Sequence, residues 1–217
     1  MTAQTSPSTS LPLFRGLAAI IFAVLLGFAV GQGGFADFDA VLAQSLSLRS
    51  GQSPDWLIAM MQAISWVGGG LPRWILVTVA AAVLWRFASG RAAFALALSS
   101  LLSNFASTAL KAAFARPRPD FVPHLDTVGD FAFPSGHATS AAVVYLLLAL
   151  LAPARWQTPA IAFAVILICL SDVSRIMLGV HWPTDVLGGT LLGAGFAMVA
   201  AWWVDRPQLP VMTASKG

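Results

Sequence analysis

Charged residues are spaced along this chain so that long, strongly apolar runs lie between them. A charge at the centre of a bilayer costs about 2.5–3.5 kcal/mol even on the mildest scale, so charges mark the ends of membrane spans. Six such intervals occur: Arg15 to Asp37, Arg73 to Arg86 with Gly68–Pro72 as an extension, Arg91 to Lys111, His137 to Arg155, Arg155 to Asp172, and Asp185 to Asp205. Several approach the roughly 20 residues a spanning helix needs, and interfacial tryptophan, proline and terminal charges complete the shorter ones. The pattern predicts an all-α, polytopic membrane protein: a six-transmembrane-helix bundle over residues 11–205, with tails at 1–10 and 206–217. Residues Pro54–Gly70 are apolar but short and end in three glycines, which predicts an interfacial or re-entrant helix and no seventh span. The first run has an alternative reading as a signal-peptide core behind Arg15, although it is long for one.

Composition strengthens the membrane assignment. The chain is 58% hydrophobic and 10% charged, with no glutamate and a mean hydropathy of +0.79. A water-soluble globule needs more charged surface than that. The single cysteine, Cys169, excludes an intrachain disulfide. The net charge of +3 does not point to nucleic acid, because no basic cluster interleaved with aromatics lies outside the candidate site described next. With the N-terminus inside, Arg15, Arg86, Arg91, Arg155, Arg206 and Lys216 fall on the inner side, and eight of the nine acidic residues fall on or near the outer side. Lysine and arginine divide evenly between the sides until Lys111, Arg118 and Arg175 are set aside as site residues. The positive-inside bias then appears.

The polar residues converge on two loops. One, "KAAFARPRPDFVPHLDTVGDFAFPSGHATS", follows the third span; the other, "SRIMLGVHWPTD", lies between the fifth and sixth. An even number of crossings separates them, so both reach one membrane face. Together they supply three cations, Lys111, Arg118 and Arg175, suited to gripping phosphate oxygens. Ser135 is a candidate N-cap, and the free amides at Ser135, Gly136 and His137 form a helix-terminal anion site. Pro183 fits a first helical turn, which sets Asp185 one turn after His181, where a carboxylate reaches one imidazole nitrogen and leaves the other as a nucleophile.

These residues resemble the type 2 phosphatidic acid phosphatases, relatives of bacterial lipid phosphatases, glucose-6-phosphatase and the vanadium haloperoxidases. The family pattern is carried by Lys111 with six residues before Arg118-Pro119, by Pro134-Ser135-Gly136-His137, and by Ser174-Arg175 with five residues before His181 and three more before Asp185. The likeness covers about Gly68 to Asp205. It implies that His181 is the phosphorylated nucleophile, Asp185 its orienting partner and His137 the acid for the leaving group. It also implies that Lys111, Arg118, Ser135, Gly136 and Arg175 bind phosphate, with no metal or other cofactor.

Simpler roles compete elsewhere. Arg116, outside the pattern, reads equally well as an interfacial anchor. His124 reads as exposed and inert, and Asp126, Asp130 and Asp172 as loop solvation or partners of the cations. The stripe of Ser99, Ser103 and Ser107, with Ser100, Asn104 and Thr108 beside it, reads as helix–helix glue. Gly189 and Gly193 read as a close-packing face or the face of a homodimer. The function that follows is a membrane lipid phosphatase, whose partners are the bilayer and a lipid phosphate or diphosphate, in a bacterial cytoplasmic membrane with the site facing outward. Two other classes are set against it. Vanadate-dependent haloperoxidase chemistry conflicts with the spans, and an anion or lipid transporter would carry charges inside the spans instead of at their ends.

Overall fold

A computed structural model describes residues 10–129 and 131–206. The expected tails at 1–10 and 206–217, apart from Ser10 and Arg206, lie outside these residues, as do Asp130 and Lys216. Helices account for all the regular structure there: α1 (Leu11–Gly31), α2 (Ala36–Leu46), α3 (Asp55–Gly68), α4 (Gly70–Phe87), α5 (Gly90–Phe114), α6 (Gly136–Leu150), α7 (Ala154–Met177) and α8 (Pro183–Asp205).

Five of these, α1, α4, α5, α7 and α8, are long and apolar enough to cross a membrane. The interval from His137 to Arg155 differs from the expected full-length span: α6 is a shorter apolar helix with one π turn at Ala142–Leu146. Its start is recessed. The preceding segment contains Ala132, Phe133 and Ser135, all buried, and its backbone is stitched to neighbours by Ala132 N–H to Arg116 O (2.9 Å) and Ser135 N–H to Asp185 O (2.9 Å). Irregular backbone is tolerated at such depth only when buried in protein with its polar groups paired.

The expected short helix after Pro54 is present as α3, and it runs into α4 through Gly69. Helix α2, which follows the glycine-rich stop at residues 31–34, was not read as a separate element because its sequence mixes Asp37, Asp39 and Gln44 with apolar residues.

Helix α8 is the axis of the bundle. Half of its apolar window is buried, against 6% for α4, which lies at the rim. Glycines let its neighbours close in: a Cβ on Gly195 would meet the Gly16 carbonyl of α1 at 2.8 Å, and one on Gly193 would lie 2.8 Å from Ala142 of α6. Gly189 and Gly193 thus serve helix packing inside the chain. The outward faces carry Phe22, Leu25, Ile75, Val79, Phe105, Phe163 and Ile166, as lipid-facing surfaces should. On α5, Ser99 and Ser103 bond carbonyls of their own helix, and Ser107 packs beside Gly136, so the serine stripe lets α5 approach its neighbours closely.

Candidate active site

Four helix ends and two loops meet at one end of the bundle. Helix α5 delivers Lys111 in its last turn and stops where Ala115 takes a left-handed conformation (φ 45°), turning the chain into the extended Arg116-Pro117-Arg118-Pro119. Helix α6 starts at the N-cap Ser135, whose side chain accepts from Ala138 N–H at 3.5 Å; the Ser135 amide, expected to be free for an anion, instead donates to Asp185 O, which leaves that role to the amides of Gly136 and His137. Helix α7 carries Arg175 in its last turn. The loop to α8 turns at Gly179 (φ 72°), where a Cβ would sit 2.7 Å from Val122, so the two loops interlock. Leu125 N–H to Leu178 O (3.0 Å) completes the seam.

His181 is 2% exposed and sits between two partners. Its Nδ1 faces Asp185 Oδ2 at 3.4 Å, and its Nε2 faces Arg118 Nη1 at 3.2 Å. Burial, followed by the positive charges of Arg118, Arg175 and Lys111, pushes the imidazole well below the usual histidine range. The ring is therefore neutral near pH 7. With the Nδ1 proton directed at Asp185, a lone pair is left on Nε2. Asp185 is fully buried; Trp182 N–H donates to its Oδ2 at 2.8 Å.

The cations stand around this centre. Arg118 also donates to Gly129 O (2.6 Å), Val180 O (2.5 Å) and Phe131 O (2.9 Å). Lys111 Nζ donates to Phe131 O (2.9 Å) and Ala132 O (3.2 Å). Arg175, 1% exposed, bonds Ser65 of α3 and Asp126, and its buried Nε has no partner among the described residues. The imidazole of His137 lies against the α3–α4 junction: a Cβ on Gly69 would fall 2.6 Å from its Nε2, and one on Gly68 3.3 Å from its Cδ2. Gly68 and Gly69, two of the three glycines that end the short apolar run, make room for this ring.

The structure thus gathers the eight sequence-predicted residues at one end of the bundle. It also recruits residues outside those eight, of which the sequence reading missed Ser65 and Asp39. Ser65 and Asp126 hold Arg175. Burial raises the Asp126 carboxyl, but hydrogen bonds from Ser65 and Arg175 outweigh it and leave the group below the usual range. Asp126 is a partner of a cation, as one of the two sequence readings had it. Asp172 lies on α7, half-buried, and accepts from Thr190 at 2.7 Å, with no cation paired to it among the described residues. His124 is exposed and bonded to Pro119 O at 2.7 Å. Arg116, read equally well as an anchor, instead bridges Asp39 (2.6 Å) and Asp185 (2.5 Å). Asp39 on α2 gave no sequence signal beyond its charge; Arg116 gave one in the doubled Arg-Pro. Among the described residues no three His, Cys, Asp or Glu side chains form a metal-ligand group.

A buried, neutral histidine backed by a carboxylate, beside three cations and a helix N-terminus at the end of a membrane bundle, defines a phosphate-handling membrane protein. The PAP2 superfamily model matches residues 92–208, more than half of the chain, and the chain belongs to that superfamily. Phosphatidylglycerophosphatase B of Bacillus subtilis is 27% identical over 83% of this chain and 90% of its own length. Lipid A 1-phosphatase of Rhizobium johnstonii is 35% identical, but the match spans half of this chain and only 44% of that protein. Decaprenylphosphoryl-5-phosphoribose phosphatase of Mycolicibacterium smegmatis is 31% identical over 70% of this chain and 80% of its own. The crystal structure of a transmembrane PAP2 type phosphatidylglycerolphosphate phosphatase from Bacillus subtilis superposes with a TM-score of 0.72 at 26% identity, covering 86% of this chain and 94% of that one. The protein is an integral, multi-pass membrane protein with the PAP2 fold.

Proposed function

We propose that this protein is a metal-independent phosphatase that removes a phosphate or diphosphate headgroup from a membrane lipid through a phosphohistidine on His181. The observation that carries the reading is the placement of His181, with its Nδ1 toward Asp185 and its Nε2 toward Arg118 within a ring of cations. The names of the relatives support phosphatidylglycerol phosphate, lipid A and decaprenylphosphoryl-5-phosphoribose as candidate substrate types.

Chemically, the Nε2 lone pair attacks phosphorus in line with the leaving oxygen, and the P–O bond to the lipid breaks as the P–N bond forms. Arg118, Arg175, Lys111 and the α6 amides stabilise the equatorial oxygens. His137 gives a proton to the departing oxygen, then takes one from the water that splits the P–N bond and releases inorganic phosphate. Acid–base help of this kind contributes about 10²–10⁴ in rate. In the resting state Arg118 faces the attacking nitrogen, so phosphate must draw the guanidinium onto its own oxygen to free that lone pair.

The reading includes six crossings with the site at the outer face. Support for α6 as the sixth comes from its far end: Leu150, Leu151 and Ala152 share a cavity wall with Ala88 and Ser89 of the α4–α5 turn and with Asp205. That end therefore reaches the level of the α4–α5 turn, while its start is recessed. The end opposite the site also carries Arg86, Arg91, Arg155 and Arg206, which suits a cytoplasmic face.

Purified protein in detergent with chelator present, given phosphatidylglycerol phosphate, undecaprenyl diphosphate and phosphatidic acid, is expected to release inorganic phosphate from at least one. Release from none, or only after a divalent metal is restored, overturns the proposal. A second expectation concerns Asp126, which competes with phosphate for Arg175. Its carboxylate is partly exposed, so its hold is worth only about 0.2–1 kcal/mol. Asp126→Asn is expected to tighten competitive inhibition by inorganic phosphate by up to about fivefold, read as Ki. A weaker Ki would show instead that Asp126 serves mainly to aim Arg175.

A further inference from the structure

The contact between His181 and Asp185, at 3.4 Å, is at the long limit of a hydrogen bond and does not fix the carboxylate by itself. Its orientation comes from behind. Asp185 is fully buried, and its Oδ1 accepts from Arg116 Nη1 at 2.5 Å while Oδ2 takes the Trp182 amide. The other arm of the Arg116 fork, Nη2, meets Asp39 Oδ2 at 2.6 Å. Asp39, 1% exposed, in turn accepts from Thr184 N–H (2.9 Å) and Thr184 Oγ1 (2.5 Å). Arg116 Nη1 also donates to Thr184 Oγ1 at 2.8 Å. A closed ring thus runs from α2 through the end of α5 to the first turn of α8, and it ends on the carboxylate that faces the histidine.

We propose that Asp39 and Arg116 are positioning residues for the His181–Asp185 pair. Arg116 holds Oδ1, which leaves Oδ2 turned toward Nδ1, and Asp39 holds the guanidinium in place. The electrostatics fit this role. Asp39, Arg116 and Asp185 alternate in sign and together carry one negative charge behind a ring that becomes cationic when Nε2 bonds to phosphorus. A buried carboxylate stays charged only with such donors. The planar fork, with one arm on each carboxylate, and not charge alone, sets the geometry, so lysine replaces it only in part. The consequence for rate rests on His181 being the nucleophile; the consequence for the imidazole does not.

The chain has three histidines, which makes ¹⁵N-histidine NMR of the full-length protein in detergent a direct probe. In the wild type, His181 is expected as a single neutral tautomer with the proton on Nδ1. Arg116→Ala and Asp39→Asn are expected to replace that signal with a tautomer mixture, and Arg116→Lys to retain it in part. On a hydrolysed lipid, Arg116→Ala should lower kcat by about 100-fold with KM within a few fold, as a 1 Å misplacement of a catalytic group does. Asp39, Arg116 and Trp182 also line a cavity of about 340 Å³, so added methylguanidine should reach the gap and restore part of kcat.

An unchanged His181 signal in folded Arg116→Ala overturns the proposal, as does a raised KM with kcat intact. If Arg116→Ala does not fold, Asp39→Asn and Arg116→Lys decide the same question from the same signal. If the wild type hydrolyses no lipid phosphate, the functional proposal falls, and the NMR comparison still decides this one.

Discussion

Replacing His181 with alanine is expected to lower kcat by at least about 10⁴-fold while leaving inhibition by inorganic phosphate nearly intact. Removal of a nucleophile from a catalytic unit costs a loss of this order, and what remains comes from binding and electrostatic stabilisation. Lys111, Arg118 and Arg175 are not displaced by the change, so the anion still binds. Rapid quench of wild-type protein with a radiolabelled substrate should trap a phosphoramidate that survives base and is lost in acid, and the label should be absent from His181→Ala. Phosphate release that persists in His181→Ala would remove the histidine from the mechanism. The pH dependence carries a sign. Because burial and the neighbouring cations depress the folded imidazole, Nε2 stays unprotonated as pH falls past the usual histidine value, so loss of kcat/KM through His181 begins on the acid side of it. Stability falls in the same direction, and starts to do so at the ordinary histidine value. The unfolded histidine takes up a proton at the ordinary value and the folded one does not. This group's contribution is therefore present above that value and falls by at most about 1.4 kcal/mol per pH unit below it, down to the folded value.

Gly189→Leu is expected to lower both stability and activity, although the residue touches no substrate. A Cβ there would collide with the Ser135 carbonyl and sit 2.9 Å from Ala138 Cβ and 3.2 Å from Thr139 N. Two of these are backbone atoms, so no rotamer change relieves the overlap, and the first turn of α6 must move with Ser135, Gly136 and His137. Overpacking of this sort costs about 1–3 kcal/mol, and a shift of about 1 Å at the anion site costs about 100-fold in rate. Gly31→Ala is the control, since a Cβ at Gly31 meets nothing within 4 Å. Thermal unfolding in detergent together with kcat reads both effects. Wild-type values for Gly189→Leu would show that α6 does not depend on this close approach.

The membrane class and the residues that gather at the candidate site were legible in the sequence because each is written locally. Burial in lipid requires long uncharged runs, and a phosphate grip requires cations, a helix start and a histidine with a carboxylate four residues on. What was not legible depends on distance across the fold. The interval from His137 to Arg155 looked like a span of ordinary length, yet α6 is short because its beginning is buried protein interior, where an irregular segment can satisfy its amides on Asp185 and Arg116. The Gly68–Gly70 triplet has the composition of a helix stop, and only the packed bundle shows that two of its glycines accommodate the His137 ring.

Sequence alone determined the solvent and the candidate reagents: an apolar chain that must live in a bilayer, and seven polar side chains, with Gly136, placed at the ends of its helices and in the loops between them. The tertiary structure decided how those reagents are aimed. Arg116 could have been an anchor and Asp39 a surface charge until α2, the end of α5 and the start of α8 closed on one another. Hydrogen bonds between residues 77 and 145 positions apart, Arg116 to Asp39 and Thr184 to Asp39, leave no local pattern in a sequence. They exist because a buried carboxylate needs donors, and the fold supplies them from wherever the chain returns.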